Sequence, residues 1–173
     1  MSRRDLLRGA LGALALVWLG RAQAARAAES PSSASVQPLD VPHTVWRKLV
    51  SPQAYAVLFE EATEPPGSSP LEHEKRPGTY VCAACHLPLF LSSAKFDSGT
   101  GWPSFFRAIP AHVATKRDFT LLLPRTEYHC ARCDGHQGHL FDDGPKPTGL
   151  RYCNNGVALA FVPEGEALPA LRP

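Results

Sequence analysis

Four of the five cysteines fall into two CxxC pairs, Cys82/Cys85 and Cys130/Cys133, separated by a long intervening segment. Two such knuckles are what a tetrahedral, all-sulfur zinc site requires, because each supplies two thiolates from one tight turn. The turns Cys82-Ala83-Ala84-Cys85 and Cys130-Ala131-Arg132-Cys133 carry small residues that let the backbone wrap an ion. The alternatives, two disulfides or four inert buried thiols, fit matched knuckles poorly. Four thiolates close the coordination sphere, so the Zn2+ ties loops together and performs no chemistry. Cys153 is left over, free to react.

The front of the chain carries a destination. Arg3-Arg4 precede an apolar run from Gly9 to Gly20 and a stretch of small residues ending near Ala24 or Ala27, so residues 1–28 read as an export signal peptide. The apolar run is short for a permanent span. Ser2-Arg3-Arg4-Asp5-Leu6-Leu7 resembles the twin-arginine signal used for proteins exported already folded, and the predicted location is the periplasm. Loading a thiolate centre in the reducing cytoplasm before export fits that route. Arg3, Arg4, Arg8, Arg21 and Arg26 against Asp5 put +4 in this leader, so a chain of net +2 leaves −2 for the remainder. That balance argues against a nucleic-acid partner.

Residues 29–44 are rich in Ser and Pro and read as a flexible tether; one catalytic domain is expected over 45–166, with a tail at 167–173. Ser51-Pro52 start a helix that Tyr55, Leu58, Phe59 and Ala62 carry to about residue 62, where Pro65-Pro66-Gly67 stop it. Short β-type runs follow at 79–82, 87–91, 112–114, 119–123, 126–130 and 150–162, so the fold class is mainly β, antiparallel. About 125 residues suffice for one core, which zinc supplements.

If 150–162 is a strand, alternation puts Arg151, Cys153 and Asn155 on one face and Tyr152 and Asn154 on the other, with a bulge possible at Gly156. A neighbouring Arg favours a thiolate. The segment alone leaves a buried structural cysteine as open as a nucleophile. The stretch Gly135-His136-Gln137-Gly138-His139, directly after the second knuckle, reads as a glycine-rich loop whose histidines can move a proton; an HxxH metal site and simple packing are the competing readings. Gly101-Trp102-Pro103-Ser104-Phe105 reads as an aromatic loop able to line a pocket.

Taken together, the Gly101–Phe105 stretch, His136-Gln137-Gly138-His139 with Phe141-Asp142-Asp143-Gly144-Pro145, and Arg151-Tyr152-Cys153-Asn154-Asn155, interleaved with the two knuckles, resemble the B-type methionine-R-sulfoxide reductase family from Trp46 to Phe161. The resemblance implies two antiparallel sheets in a barrel-like arrangement with short N-terminal helices and zinc at one edge. It implies Cys153 as the nucleophile on the sulfoxide sulfur, His136 and His139 positioning and protonating the departing oxygen, Arg151 and Asn155 shaping the site, and Trp102 with Phe141 binding the substrate. The Cys153 sulfenic acid would then be reduced by an external thiol, such as a thioredoxin-like protein or dithiothreitol. The implied substrates are oxidised proteins or peptides, and the expected state is a monomer. Two departures stand out. Thr100 occupies the place of a resolving cysteine, so no internal disulfide with Cys153 is expected. Gln137 and Asn154 stand where apolar residues are familiar, and small effects are expected of them.

Three rival classes are weaker. A zinc-ribbon adaptor is opposed by charge and export signal. A zinc hydrolase or deaminase needs an open metal position and a His-x-Glu near the knuckles, which His73-Glu74 does not supply. A dithiol oxidoreductase needs one CxxC in a βαβ setting, against the strand-rich pattern here.

Overall fold

In the computed structural model, residues 36–118 and 124–172 are described, all within one compact unit, Ser33–Pro173. The export signal, the first part of the tether and the expected strand at 119–123 lie outside the described residues.

The chain enters through a 3-10 turn at His43–Lys48 and then forms α1, Pro52–Glu60. Ser51 caps α1, its Oγ accepting from the Ala54 N–H at 3.1 Å, and Pro52 occupies a first-turn position where no N–H is needed. The helix stops two residues short of expectation because Glu61 takes a left-handed conformation (φ 54°) and Ala62 N–H turns back to Ala56 O. Its inner face, Ala54, Tyr55, Val57 and Leu58, is buried.

Among the described residues nine strands follow: β1 Gly78–Cys82, β2 Pro88–Leu91, β3 Lys95–Phe96, β4 Ser104–Phe105, β5 Val113–Asp118, β6 Arg125–Cys130, β7 His136–Phe141, β8 Arg151–Asn154 and β9 Leu159–Pro163. All pairings are antiparallel, in a small sheet ordered β2-β1-β9 and a large one ordered β3-β4-β8-β7-β6-β5. The two-sheet expectation holds, with one refinement: both sheets are open, so the barrel is not closed.

Two segments differ from the sequence reading. The run 150–162 is two strands in different sheets, joined by a 3-10 turn at Gly156–Ala158. The glycine-rich histidine stretch is strand β7, not a loop. Gly138 is what permits it: a Cβ there would overlap the Cys153 carbonyl, so only glycine lets β7 and β8 lie this close.

Aromatic rings join the sheets. Phe90 of β2 stacks on Phe105 of β4 (centroids 4.2 Å apart) and meets Tyr152 of β8 edge-on at 5.7 Å, while Tyr80 of β1 meets Phe105 at 4.9 Å. Leu39 N–H donates to Arg132 O at 2.6 Å, so the end of the tether rests on the second knuckle. At the other terminus the Arg172 guanidinium donates to the carbonyls of Leu49, Ala83 and Ala84, so the tail lies on the first.

Candidate active site and metal centre

Each knuckle sits at a strand end. Cys82 closes β1 and Cys130 closes β6, and each is followed by a turn whose fifth residue is left-handed: His86 (φ 64°) and Asp134 (φ 60°). His86 N–H donates to Cys82 O at 2.9 Å and Asp134 N–H to Cys130 O at 3.0 Å, so the two turns are near copies. All four cysteines are buried and their sulfurs lie within 4.8 Å of one another, with Cys82–Cys133 at 3.6 Å and Cys85–Cys130 at 3.5 Å. A zinc ion holding four sulfurs at about 2.3 Å in a tetrahedron needs sulfur separations of about 3.8 Å. The donor set fits a structural zinc held by Cys82, Cys85, Cys130 and Cys133, with no position left for a reactant.

Gln137, where a small effect was expected, is fully enclosed. Its Nε2 donates to Cys82 Sγ at 3.5 Å, a bond that strengthens when the sulfur is a metal-bound thiolate. Asn154 is equally enclosed and accepts from the Tyr128 hydroxyl at 2.7 Å. Both polar side chains thus carry structure, which their neighbours in sequence give no sign of.

One row of cross-strand neighbours spans the large sheet. Lys116, Glu127, His139, Cys153, Ser104 and Phe96 are successive cross-strand partners on β5, β6, β7, β8, β4 and β3. His139 and Cys153 are therefore side by side on one face. They open onto a cleft of about 130 Å³ that Trp102, Phe141 and Asn155 also line, together with Thr63 and Arg125.

Cys153 is half-buried. Burial pushes its thiol up from the ordinary value, and this outweighs the pull toward ionisation from the Arg151 charge and from hydrogen bonding by Thr100 and Arg151. Arg151 favours the thiolate as the sequence implied, but does not win. Its guanidinium is forked on Asp143 (Nε to Oδ1 2.8 Å, Nη2 to Oδ2 2.7 Å) and lies 4.2 Å from the Phe141 ring centre.

His139 donates from Nε2 to Asp118 Oδ2 at 2.9 Å, since the carboxylate can only accept, leaving Nδ1 as its acceptor. Burial holds its pKa below the usual imidazole value despite Asp118, so the ring is neutral at pH 7. His136 stands behind the cleft wall, almost enclosed, its Nδ1 on Glu127 Oε1 at 2.8 Å and its ring 5.4 Å from that of His139. Asn155 donates from Nδ2 to Gln137 O at 3.1 Å and accepts from the Glu64 N–H at 3.0 Å. The Trp102 indole donates to Glu64 O at 3.1 Å. Asp118, Glu127 and Glu64 escaped the sequence reading because acidic residues at strand and loop positions resemble any solvated surface until the pairing is known.

Comparison with known proteins gives the family. Residues 50–163 match the SelR domain. Relatives called peptide methionine sulfoxide reductase MsrB are 57% identical in Bradyrhizobium diazoefficiens over 120 residues (69% of this chain, 86% of the relative), 50% identical in Agrobacterium fabrum over 119 residues (68% and 88%), and 51% identical in Thiobacillus denitrificans over 120 residues (69% and 91%).

Two measurements check the site. Gln137→Leu should release zinc to a chromogenic chelator about 10-fold faster than wild type; an unchanged rate means that the N–H···S bond adds nothing. Iodoacetamide alkylation of Cys153 should titrate with a midpoint above the roughly 8.5 of a free thiol, and Arg151→Met should move it higher still. A wild-type midpoint below about 7 would show that the cation outweighs burial. The chain belongs to the SelR-domain family of methionine sulfoxide reductases B.

Proposed function

We propose that this chain reduces the R epimer of peptide-bound methionine sulfoxide to methionine, with Cys153 as nucleophile and an external thiol as reductant. The observation that carries the reading is the register that sets Cys153 beside His139 in a cleft walled by Trp102 and Phe141. Membership of the reductase family supports the reaction class.

The step balances with the groups present. The free site holds a protonated thiol and a neutral His139. His139 takes the thiol proton and passes it to the sulfoxide oxygen while the Cys153 sulfur attacks the substrate sulfur. The substrate S–O bond breaks, a Cys153 S–O bond forms, and the proton ends on the sulfenic hydroxyl. The substrate sulfur gains two electrons, which Cys153 loses. Two external thiols then restore Cys153 as one disulfide and one water. All other cysteines are committed to the knuckles, so recycling is direct. Exchanging epimers swaps methyl and oxygen, which would set the oxygen against Trp102 and Phe141 and leave polar groups unpaired.

In this reading His136 supports His139 from behind, Asn155 and Arg151 shape the cleft, and the protein works alone as a monomer on oxidised proteins. Residues 1–28 export it by the twin-arginine route, so that repair takes place in the periplasm. Among the described residues no helix is long and apolar enough to cross a membrane.

With dithiothreitol as donor, the wild type should turn over the R and not the S epimer of a methionine sulfoxide peptide. Cys153→Ser should fall to background with its zinc content unchanged; turnover persisting in that variant would move the chemistry to the knuckles. Mass spectrometry should find a sulfenic adduct on Cys153, and a disulfide to either knuckle would refute direct recycling. In cell fractions, Arg3→Lys/Arg4→Lys should stay cytoplasmic, and undiminished periplasmic recovery would rule out the twin-arginine route.

A further inference from the structure

Glu64 belongs to no motif, yet it bonds to two residues that line the cleft, Asn155 and Trp102. The side chain is buried, on the loop after α1. It has no cation partner among the described residues; instead Oε1 accepts from the Gly156 N–H at 2.5 Å and Oε2 from the Val157 N–H at 3.0 Å. These are N–H groups of the 3-10 turn that leaves β8. Gly156 makes the approach possible: a Cβ there would overlap Ser69 Oγ and stand 3.3 Å from Glu64 Oε1. The same residue's backbone does two further things. Its N–H holds the Asn155 amide oxygen at 3.0 Å, and its carbonyl holds the Trp102 indole at 3.1 Å.

Resting on the reading of the cleft as a sulfoxide pocket, we propose that Glu64 is a positioning residue: its carboxylate, clamped on the Gly156 and Val157 N–H groups, fixes its own backbone so that one peptide unit on either side orients Asn155 and Trp102, both of which line the pocket. Charge-assisted bonds to backbone N–H groups in a buried setting are strong enough to hold a loop in one place. Thr63, the preceding residue, lines the cleft itself, so a shift of this loop changes the pocket directly. The hydrogen bonds of Glu64 go to Asn155, Trp102, Gly156 and Val157, not to Cys153 or a zinc cysteine. The expected signature is therefore a binding defect at an intact nucleophile.

The test uses full-length, zinc-loaded Glu64→Ala and Glu64→Gln. With an R-sulfoxide peptide and dithiothreitol, Glu64→Ala should raise KM about 10-fold or more with a smaller change in kcat. Zinc content and the Cys153 alkylation rate should stay within about twofold of wild type, because neither group is touched. Glu64→Gln keeps one acceptor but turns an N–H donor toward the other backbone N–H, so it should fall between the two. The second readout is the Trp102 indole N–H resonance, assigned by its loss in Trp102→Phe, which should shift or exchange faster in the Glu64 variants even without substrate. A melting temperature that drops while KM and the Trp102 resonance stay put would overturn the proposal. Should the alanine variant fail to fold, unmoved values in Glu64→Gln decide equally. A wild type with no sulfoxide turnover would defeat the functional reading alone, leaving the indole resonance to judge the role of Glu64.

Discussion

Two sheets that share no ladder are drawn together at one end by four sulfurs, and the site inherits its geometry from that join. Cys82 and Cys85 belong to the β1–β2 turn of the small sheet, Cys130 and Cys133 to the β6–β7 turn of the large one. Strand β7 begins only three residues beyond Cys133, and within it Gln137 reaches back to Cys82 while its carbonyl takes both N–H groups of Asn155. Metal, strand and cleft are thus connected through two residues. The aromatic layer of Phe90, Phe105, Tyr80 and Tyr152 supplies the area that keeps the sheets stacked away from the metal.

The electrostatics of the cleft are a contest between burial and partners. Arg151 is held by Asp143 and by the Phe141 ring, so its charge is partly spent before it reaches Cys153. Burial prevails at the thiol, and likewise at His139 despite its carboxylate. The resting pair is therefore uncharged: proton on sulfur, none added to the imidazole. A neutral pair avoids the cost of burying separated charges.

The sequence was informative where chemistry is carried by rare residue types at fixed spacing. The knuckles, the lone Cys153 and the start of α1 could be read because sulfur pairs and Ser-Pro have few structural uses. It was least informative where backbone pairing decides. The His136–Phe141 stretch looks like a loop because of its glycines, and only the approach of β8 explains why Gly138 belongs in a strand. The run 150–162 looks continuous because apolar residues recur on both sides of Gly156, from Leu150 and Tyr152 to Leu159, Phe161 and Val162, whereas the break at Gly156–Ala158 follows from a change of sheet. Glu64, Asp118 and Glu127 were invisible, and Gln137 was undervalued, for a shared reason: each acts on a partner remote in sequence or on an adjacent strand, and composition does not encode proximity.

That remoteness bears on how the molecule comes into being. Glu64 meets Gly156 and Val157 across 92 and 93 positions, whereas β1–β2 and β6–β7 are local hairpins. Closing so long a loop costs entropy that short hairpins avoid. The thiol-bearing hairpins thus join chain neighbours, whereas the clamp that holds the pocket walls ties the two extremities of the domain together.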